Sequence, residues 1–226
     1  MEYDVSYGPS FAQLTVDLDE GESVDAEPGA MVATSEGIAM ETGTAGSGGL
    51  LGAAKSALGG ESFFVNTFRA EQPGHVKFAP PLPGDVVAHE LADETLYLQS
   101  GAFLAAESDV EVSSGLGGAT SFFGTESLVL LELSGRGHAF FGSYGAVDRV
   151  EIAAGETYTV DTGHVVAFDE TVSFSTRSIE RGLKGKLFGG EGWVCDFTGP
   201  GTVWLQTRDF EALTARLAAE LPTGGN

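Results

Sequence analysis

The sequence predicts an all-β fold: three pseudo-repeats of about 65 residues forming a double-stranded β-helix or sandwich-like barrel, plus one C-terminal α-helix. Two internal periodicities and a β-type residue pattern carry that prediction. Residues 16–42 (VDLDEGESVDAEPGAMVATSEGIAMET) align without a gap on residues 150–176 (VEIAAGETYTVDTGHVVAFDETVSFST), at an offset of 134. Gly21-Glu22 falls on Gly155-Glu156, Gly29 on Gly163, Val32-Ala33 on Val166-Ala167, Ile38 on Val172 and Met40 on Phe174. A second motif recurs every 65 residues, as Leu58-Gly59-Gly60-Glu61-Ser62-Phe63-Phe64, Phe123-Gly124-Thr125-Glu126-Ser127-Leu128-Val129 and Phe188-Gly189-Gly190-Glu191-Gly192-Trp193-Val194.

The first repeat spans about 1–75, the second 76–140 and the third 141–206. In the middle copy Asp93-Glu94-Thr95 takes the turn place of Gly21-Glu22-Ser23. There Ser100-Gly101-Ala102-Phe103-Leu104-Ala105 takes that of Pro28-Gly29-Ala30-Met31-Val32-Ala33, and Val110-x-Val112 that of Ile38-x-Met40. Strand signals are short runs rich in β-branched or aromatic residues, bounded by Gly, Asp and Pro: Leu128–Leu133, Val147–Ile152, Thr157–Val160 and Thr171–Thr176. Apolar and polar residues alternate in Ile38-x-Met40 and Val172-x-Phe174, as a strand with one buried face requires. Gly29, Gly101 and Gly163 suit turns with positive φ. A Gly-rich turn and a further strand follow each second motif, at Pro73-Gly74-His75-Val76, Arg136-Gly137-His138-Ala139 and Pro200-Gly201-Thr202-Val203. These repeats make one domain over 1–208. Asp209 then caps a helix over 209–221 that packs on it through Phe210, Leu213, Leu217 and Leu221, with Pro222 ending it and 222–226 a tail.

Composition narrows the function classes. Hydrophobic residues make up 42%, enough for a real core, and Gly accounts for 33 of 226, the mark of a turn-rich chain. No apolar run is long enough to span a bilayer, and Met1-Glu2-Tyr3-Asp4 lacks the basic start of a secretory signal, so a cytoplasmic place is expected. With Cys195 as the lone cysteine, neither an internal disulfide nor a cysteine-built metal site is available. The formal charge is −22, spread over the whole chain rather than gathered in a tail. Either an ordinary acidic protein or one adapted to molar cytoplasmic salt carries such a surface; the scarcity of lysine favours the second. Both repel phosphate backbones, which argues against nucleic acid as a partner.

The stretch Gly-Gly-Glu-Ser-Phe-Phe-x-Asn-x-Phe at 59–68, Phe-Gly-Gly-Glu-Gly at 188–192 and Gly-Pro-Gly-Thr-Val-Trp-Leu-Gln-Thr at 199–207 resemble the altered-inheritance-of-mitochondria family of mitochondrial biogenesis proteins. That family has many uncharacterised bacterial and archaeal members. The likeness covers about 1–208 and implies a three-repeat β fold of the kind shared with the tryptophan RNA-binding attenuation protein. Mitochondrial relatives are associated with inner-membrane organisation and respiratory-complex integrity, without an established catalytic activity. The family therefore implies no catalytic residues, and without a transit segment its organelle role does not carry over.

Three Gly-rich loops are the candidate interaction surface: 43–60 with Leu51 and Leu58, 115–125 with Leu116, Phe122 and Phe123, and 182–190 with Leu183, Leu187 and Phe188. Large apolar residues in loops either fold inward as core or form a patch for self-association or a membrane surface. Glu61, Glu126 and Glu191 are pseudo-equivalent and would suit Ca²⁺ or Mg²⁺ if they converged; accepting turn N–H bonds explains them equally. His75, His89, His138 and His164 lack His-x-His spacing, no Gly-x-Ser-x-Gly elbow occurs, and Trp193-Val194-Cys195-Asp196-Phe197 reads as a buried strand. No cofactor is expected. The sequence thus points to a non-enzymatic scaffold, homo-oligomeric through its apolar loops and possible at a membrane periphery; the alternative is a small-ligand or cation module in the barrel mouth. RNA binding and a cupin-like metalloenzyme rank below both.

Overall fold

Tight turns with left-handed backbone divide the apolar segments at equivalent places: Gly21 has φ 90°, Asp93 φ 76° and Gly155 φ 80°. Glycine takes that conformation without a Cβ penalty, and Asp is among the few other residues that tolerate it. The computed structural model describes residues 1–44, 64–114, 129–178 and 193–221. Each of these turns joins two successive strands: β2 (Gln13–Leu18) to β3 (Ser23–Ala26), β8 (Val86–Ala92) to β9 (Leu96–Gln99), and β13 (Val147–Ile152) to β14 (Thr157–Asp161).

Further strands are β1 (Glu2–Ser6), β4 (Met31–Thr34), β5 (Ile38–Thr44), β6 (Phe64–Ala70), β7 (Gly74–Phe78), β10 (Phe103–Glu107), β11 (Val110–Ser114), β12 (Leu130–Gly142), β15 (Val165–Asp169), β16 (Ser173–Ser178), β17 (Trp193–Thr198) and β18 (Gly201–Gln206). One pairing set occurs three times along the chain. β7 lies between β2 and β4, the second half of β12 between β8 and β10, and β18 between β13 and β15. Likewise β6 lies between β3 and β5, the first half of β12 between β9 and β11, and β17 between β14 and β16. Even the irregularities recur: β4, β10 and β15 each bulge at their second residue, Val32, Leu104 and Val166.

The fold is all-β with one helix, as expected, but four details differ from the sequence prediction. The described strands form open sheets of four, eleven and three strands, not a closed barrel. Arg136-Gly137 is no turn: β12 runs unbroken through Gly135 (φ 107°) and Gly137 (φ 129°). A Cβ at Gly135 would come within 2.4 Å of the Asp109 carbonyl oxygen, so only glycine lets the strands approach there. Gly101 and Gly163 sit in short 3₁₀ turns at ordinary φ, and of the three equivalent glycines Gly29 alone has positive φ, 92°. Finally, α1 (Phe210–Glu220) is capped as predicted, the Asp209 carboxylate accepting from the Glu211 and Ala212 amides, yet no residue of it is buried. Its Phe210, Leu217 and the following Leu221 are exposed.

Three apolar clusters make up that core. The first gathers β2, β3, β6 and β7 with Leu104 and Ala105 of β10. The middle one gathers β9, β11 and β12 with Val166 and Ala167 of β15. The last holds Ile152, Val160, Phe168, Cys195, Phe197 and Val203. The first two clusters are therefore completed by a strand from the next unit along the chain.

Candidate functional site

The seams between units are built by backbone pairing. β10 lies antiparallel to β3, with Ala105 opposite Ala26, Ala106 opposite Asp25 and Glu107 opposite Val24. One unit later β15 lies against β9 in the same register: Ala167 opposite Leu98, Phe168 opposite Tyr97 and Asp169 opposite Leu96. The matching strand of the first unit is β4 and that of the last is β14, and these two are not paired with each other. Among the described strands each ends its sheet, β4 bonded to β7 alone and β14 to β17 alone.

Burial follows directly. Phe103-Leu104-Ala105-Ala106 and Val165-Val166-Ala167-Phe168 are buried throughout, whereas every residue of Met31-Val32-Ala33-Thr34 is exposed. On the other edge Tyr158 is 42% exposed, while its equivalents Val24 and Leu96 are both 0%. The same strand chemistry is therefore covered twice and bare once at each end. Unpaired strand edges present rows of free N–H and C=O groups and are templates for a further strand. Soluble proteins guard them with Lys, Pro or inward charges; Met31–Thr34 carries none of these, and β14 carries only Asp161 at its last position, where the carboxylate accepts from the Gly163 amide. The β4 bulge is no guard, since β10 and β15 bulge at the same place and still pair outward.

Charged networks support this scaffold. On β17 the Asp196 carboxylate accepts from Thr159 Oγ1 of β14 and Arg177 Nε of β16, each at 2.6 Å, and these bonds hold its pKa below the usual carboxylate range. Asp93, in its left-handed turn, pairs with Arg136, which lowers the carboxyl pKa. Asp25 and Glu27 move the other way: burial raises both, a Thr67 hydroxyl bond partly offsetting it for Asp25, while the buried Glu27 Oε2 has no partner among the described residues.

Groups that would do chemistry are engaged elsewhere. Burial pushes the Cys195 thiol up to about 12, far from a reactive thiolate. His138 Nδ1 meets Glu107 Oε1 at 2.8 Å, and His164 Nδ1 donates to the Gln206 carbonyl at 2.7 Å. His89 is half-buried edge-on to Trp204, with its pKa lowered by burial. Among the described residues no group of three His, Cys, Asp or Glu is placed to hold a metal, and no helix is long and apolar enough to cross a membrane. A cleft of about 270 Å³ beside the start of α1 is lined by Gln99, Thr162, Gln206 and Phe210. Gln206 is already spent there, donating to the Gly163 carbonyl and accepting from the Tyr144 amide.

The loop residues Leu51, Leu58, Leu116, Phe122, Phe123, Leu183, Leu187 and Phe188, and the acids Glu61, Glu126 and Glu191, all lie outside the described residues. Sequence reasoning missed the strand edges, although the alignment of Val32-Ala33 on Val166-Ala167 already marked β4 as a core-type strand.

The family model described as mitochondrial biogenesis AIM24 matches residues 3–208. The chain is 30% identical over 234 residues to an uncharacterised protein of Streptococcus pyogenes serotype M6, spanning 100% of this chain and 93% of that one. It is also similar to the crystal structure of a Streptococcus pyogenes protein, with a TM-score of 0.80 and 28% identity over 97% of this chain and 99% of that one.

Proposed function

The chain belongs to the mitochondrial biogenesis AIM24 family, and from that premise we propose that it is a non-enzymatic scaffold acting by association with further copies of itself. One observation carries this reading: β4 is bare and apolar although both strands equivalent to it are buried. Exposed large apolar residues on an unguarded edge mark an interaction surface. The non-enzymatic part draws on Cys195, whose thiol is buried, and on His138 and His164, each held through Nδ1 by a neighbouring oxygen.

Light scattering on a size-exclusion column in 2 M KCl tests the reading. A native mass of two or more chains of 23.4 kDa is expected, and a single chain at all concentrations would overturn it. Replacing Leu58, Phe123 and Phe188 with Ser in the same run reports how much the Gly-rich loops contribute. Flotation of the same fractions with lipid vesicles examines the membrane-peripheral version; co-flotation lost in the Ser variant would support it, and absence of co-flotation removes it.

A further inference from the structure

We propose that β4 of one copy pairs antiparallel with β14 of a second copy, in the register already used at the two seams inside the chain. The proposal deepens the self-association reading, on which it rests, by naming the surfaces and the partner. The internal seams give the template. Transferring the β10–β3 and β15–β9 registers to equivalent positions places Ala33 opposite Val160, Thr34 opposite Thr159 and Ser35 opposite Tyr158.

Two further observations favour a second copy as the occupant. The first apolar cluster receives Leu104 and Ala105 from the next unit, and the middle one receives Val166 and Ala167. Among the described residues, the last cluster, around Val160 and Phe197, contains none of the first unit. Val32 and Ala33 are the equivalents of those incoming residues, and they are exposed on β4. One end of the chain thus lacks what the other end displays. In addition, Thr34, Ser35, Tyr158 and Thr159 are all uncharged, so the directly opposed pairs bring no like charges together despite the net −22.

A contact between two different edges is heterologous: every copy offers β4 to one neighbour and β14 to another. Such a contact generates a ring when the rotation per copy closes and a filament when it does not. In both cases the assembly continues the internal succession of units, with the chain boundary replaced by a backbone seam.

Cysteine cross-linking tests this in a Cys195→Ala background. Chains carrying Thr34→Cys alone and Thr159→Cys alone are unfolded together, refolded as a mixture in 2 M KCl and oxidised. Directly opposed residues of an antiparallel pair lie about 4.5–5.5 Å apart at Cα, within disulfide reach. A covalent dimer is expected in the mixture and at least tenfold less in either chain alone. A Val32→Lys variant, with strand content checked by circular dichroism, is expected to lower the native mass to one chain. Equal dimer in the single-chain controls would overturn the head-to-tail register. A chain carrying both cysteines that closes a bridge on itself would overturn the second copy as partner. If the wild type is oligomeric but neither cross-linked nor sensitive to Val32→Lys, the edge proposal fails while self-association stands; a wild-type monomer ends both.

Discussion

Val32 and Val166 are the same residue at equivalent bulges of β4 and β15, yet Val32 is 53% exposed and Val166 is 1% exposed. The difference does not lie in either strand. It lies in the strand beyond: β9 covers the outer edge of β15, and none of the described strands covers that of β4. Side-chain burial in this fold is decided by backbone pairing between units.

This pair sets the first prediction. Val166→Asp places an unpartnered carboxylate in a closed core and should cost about 4 kcal/mol or more. Val32→Asp, measured on the single chain at low protein concentration, should change stability by no more than ~0.5 kcal/mol. Urea unfolding of both variants reads the asymmetry; similar losses would mean that β4 is covered within its own chain.

Glu27 supplies the second prediction. Its Oε2 is buried without a partner among the described residues, and burial raises its pKa. A raised carboxyl pKa means that the folded chain holds a proton the unfolded chain has released. Stability from this group is therefore present at low pH and is lost as pH climbs from about 4.3 through the raised folded value. Glu27→Gln removes that loss, and should add about 1 kcal/mol at pH 7 and nothing at pH 4. Position 27 is matched in the middle unit by Gln99, so the unit accommodates the amide. Unfolding midpoints of both proteins across pH 4–7 check it.

Asp196 predicts the opposite sign. Bonds from Arg177 and Thr159 depress its pKa, so its contribution is full above about 3.9 and disappears as pH falls through the lower folded value. Asp196→Asn should destabilise the β14–β17–β16 sheet and flatten the acid limb of the stability profile. Because the Arg177 side chain is over half exposed, the loss should be small and should shrink further in molar salt. Thermal melts between pH 2.5 and 5 distinguish this from an unchanged acid limb.

How much of this was legible in the sequence depends on the range of the interaction. The turn at Gly155-Glu156, the strand Val147–Ile152 and the Asp209 cap are local devices, and each is where the residues put it. Arg136-Gly137-His138 looked like a turn because glycine usually punctuates strands; β12 runs through because β8 and β11 hold its two halves from outside. The stripe on α1 looked like a core face, and periodicity says nothing about whether a surface is free to receive it. Burial at β4 is equally invisible to pattern: its sequence is that of a covered strand, and among the described strands no partner covers its outer edge.

Salt dependence is the last prediction, and it follows from the −22 charge. Carboxylates spread over one surface repel within about 10 Å at 0.1 M salt and within about 3 Å at 1 M. Raising KCl should therefore raise the urea midpoint most steeply below 1 M and little above it. The same screening should favour the seam between copies, since two acidic chains must approach before uncharged Thr34 and Thr159 can meet. Exposed Glu2, Glu20, Glu41, Glu71 and Glu90 lie outside β4 and β14. Changing all five to Gln should lower the KCl concentration needed for half-assembly while leaving the mass of the assembly unchanged. Light scattering across a KCl series measures both quantities; a half-assembly point that does not move would mean that backbone pairing, and not charge, limits association.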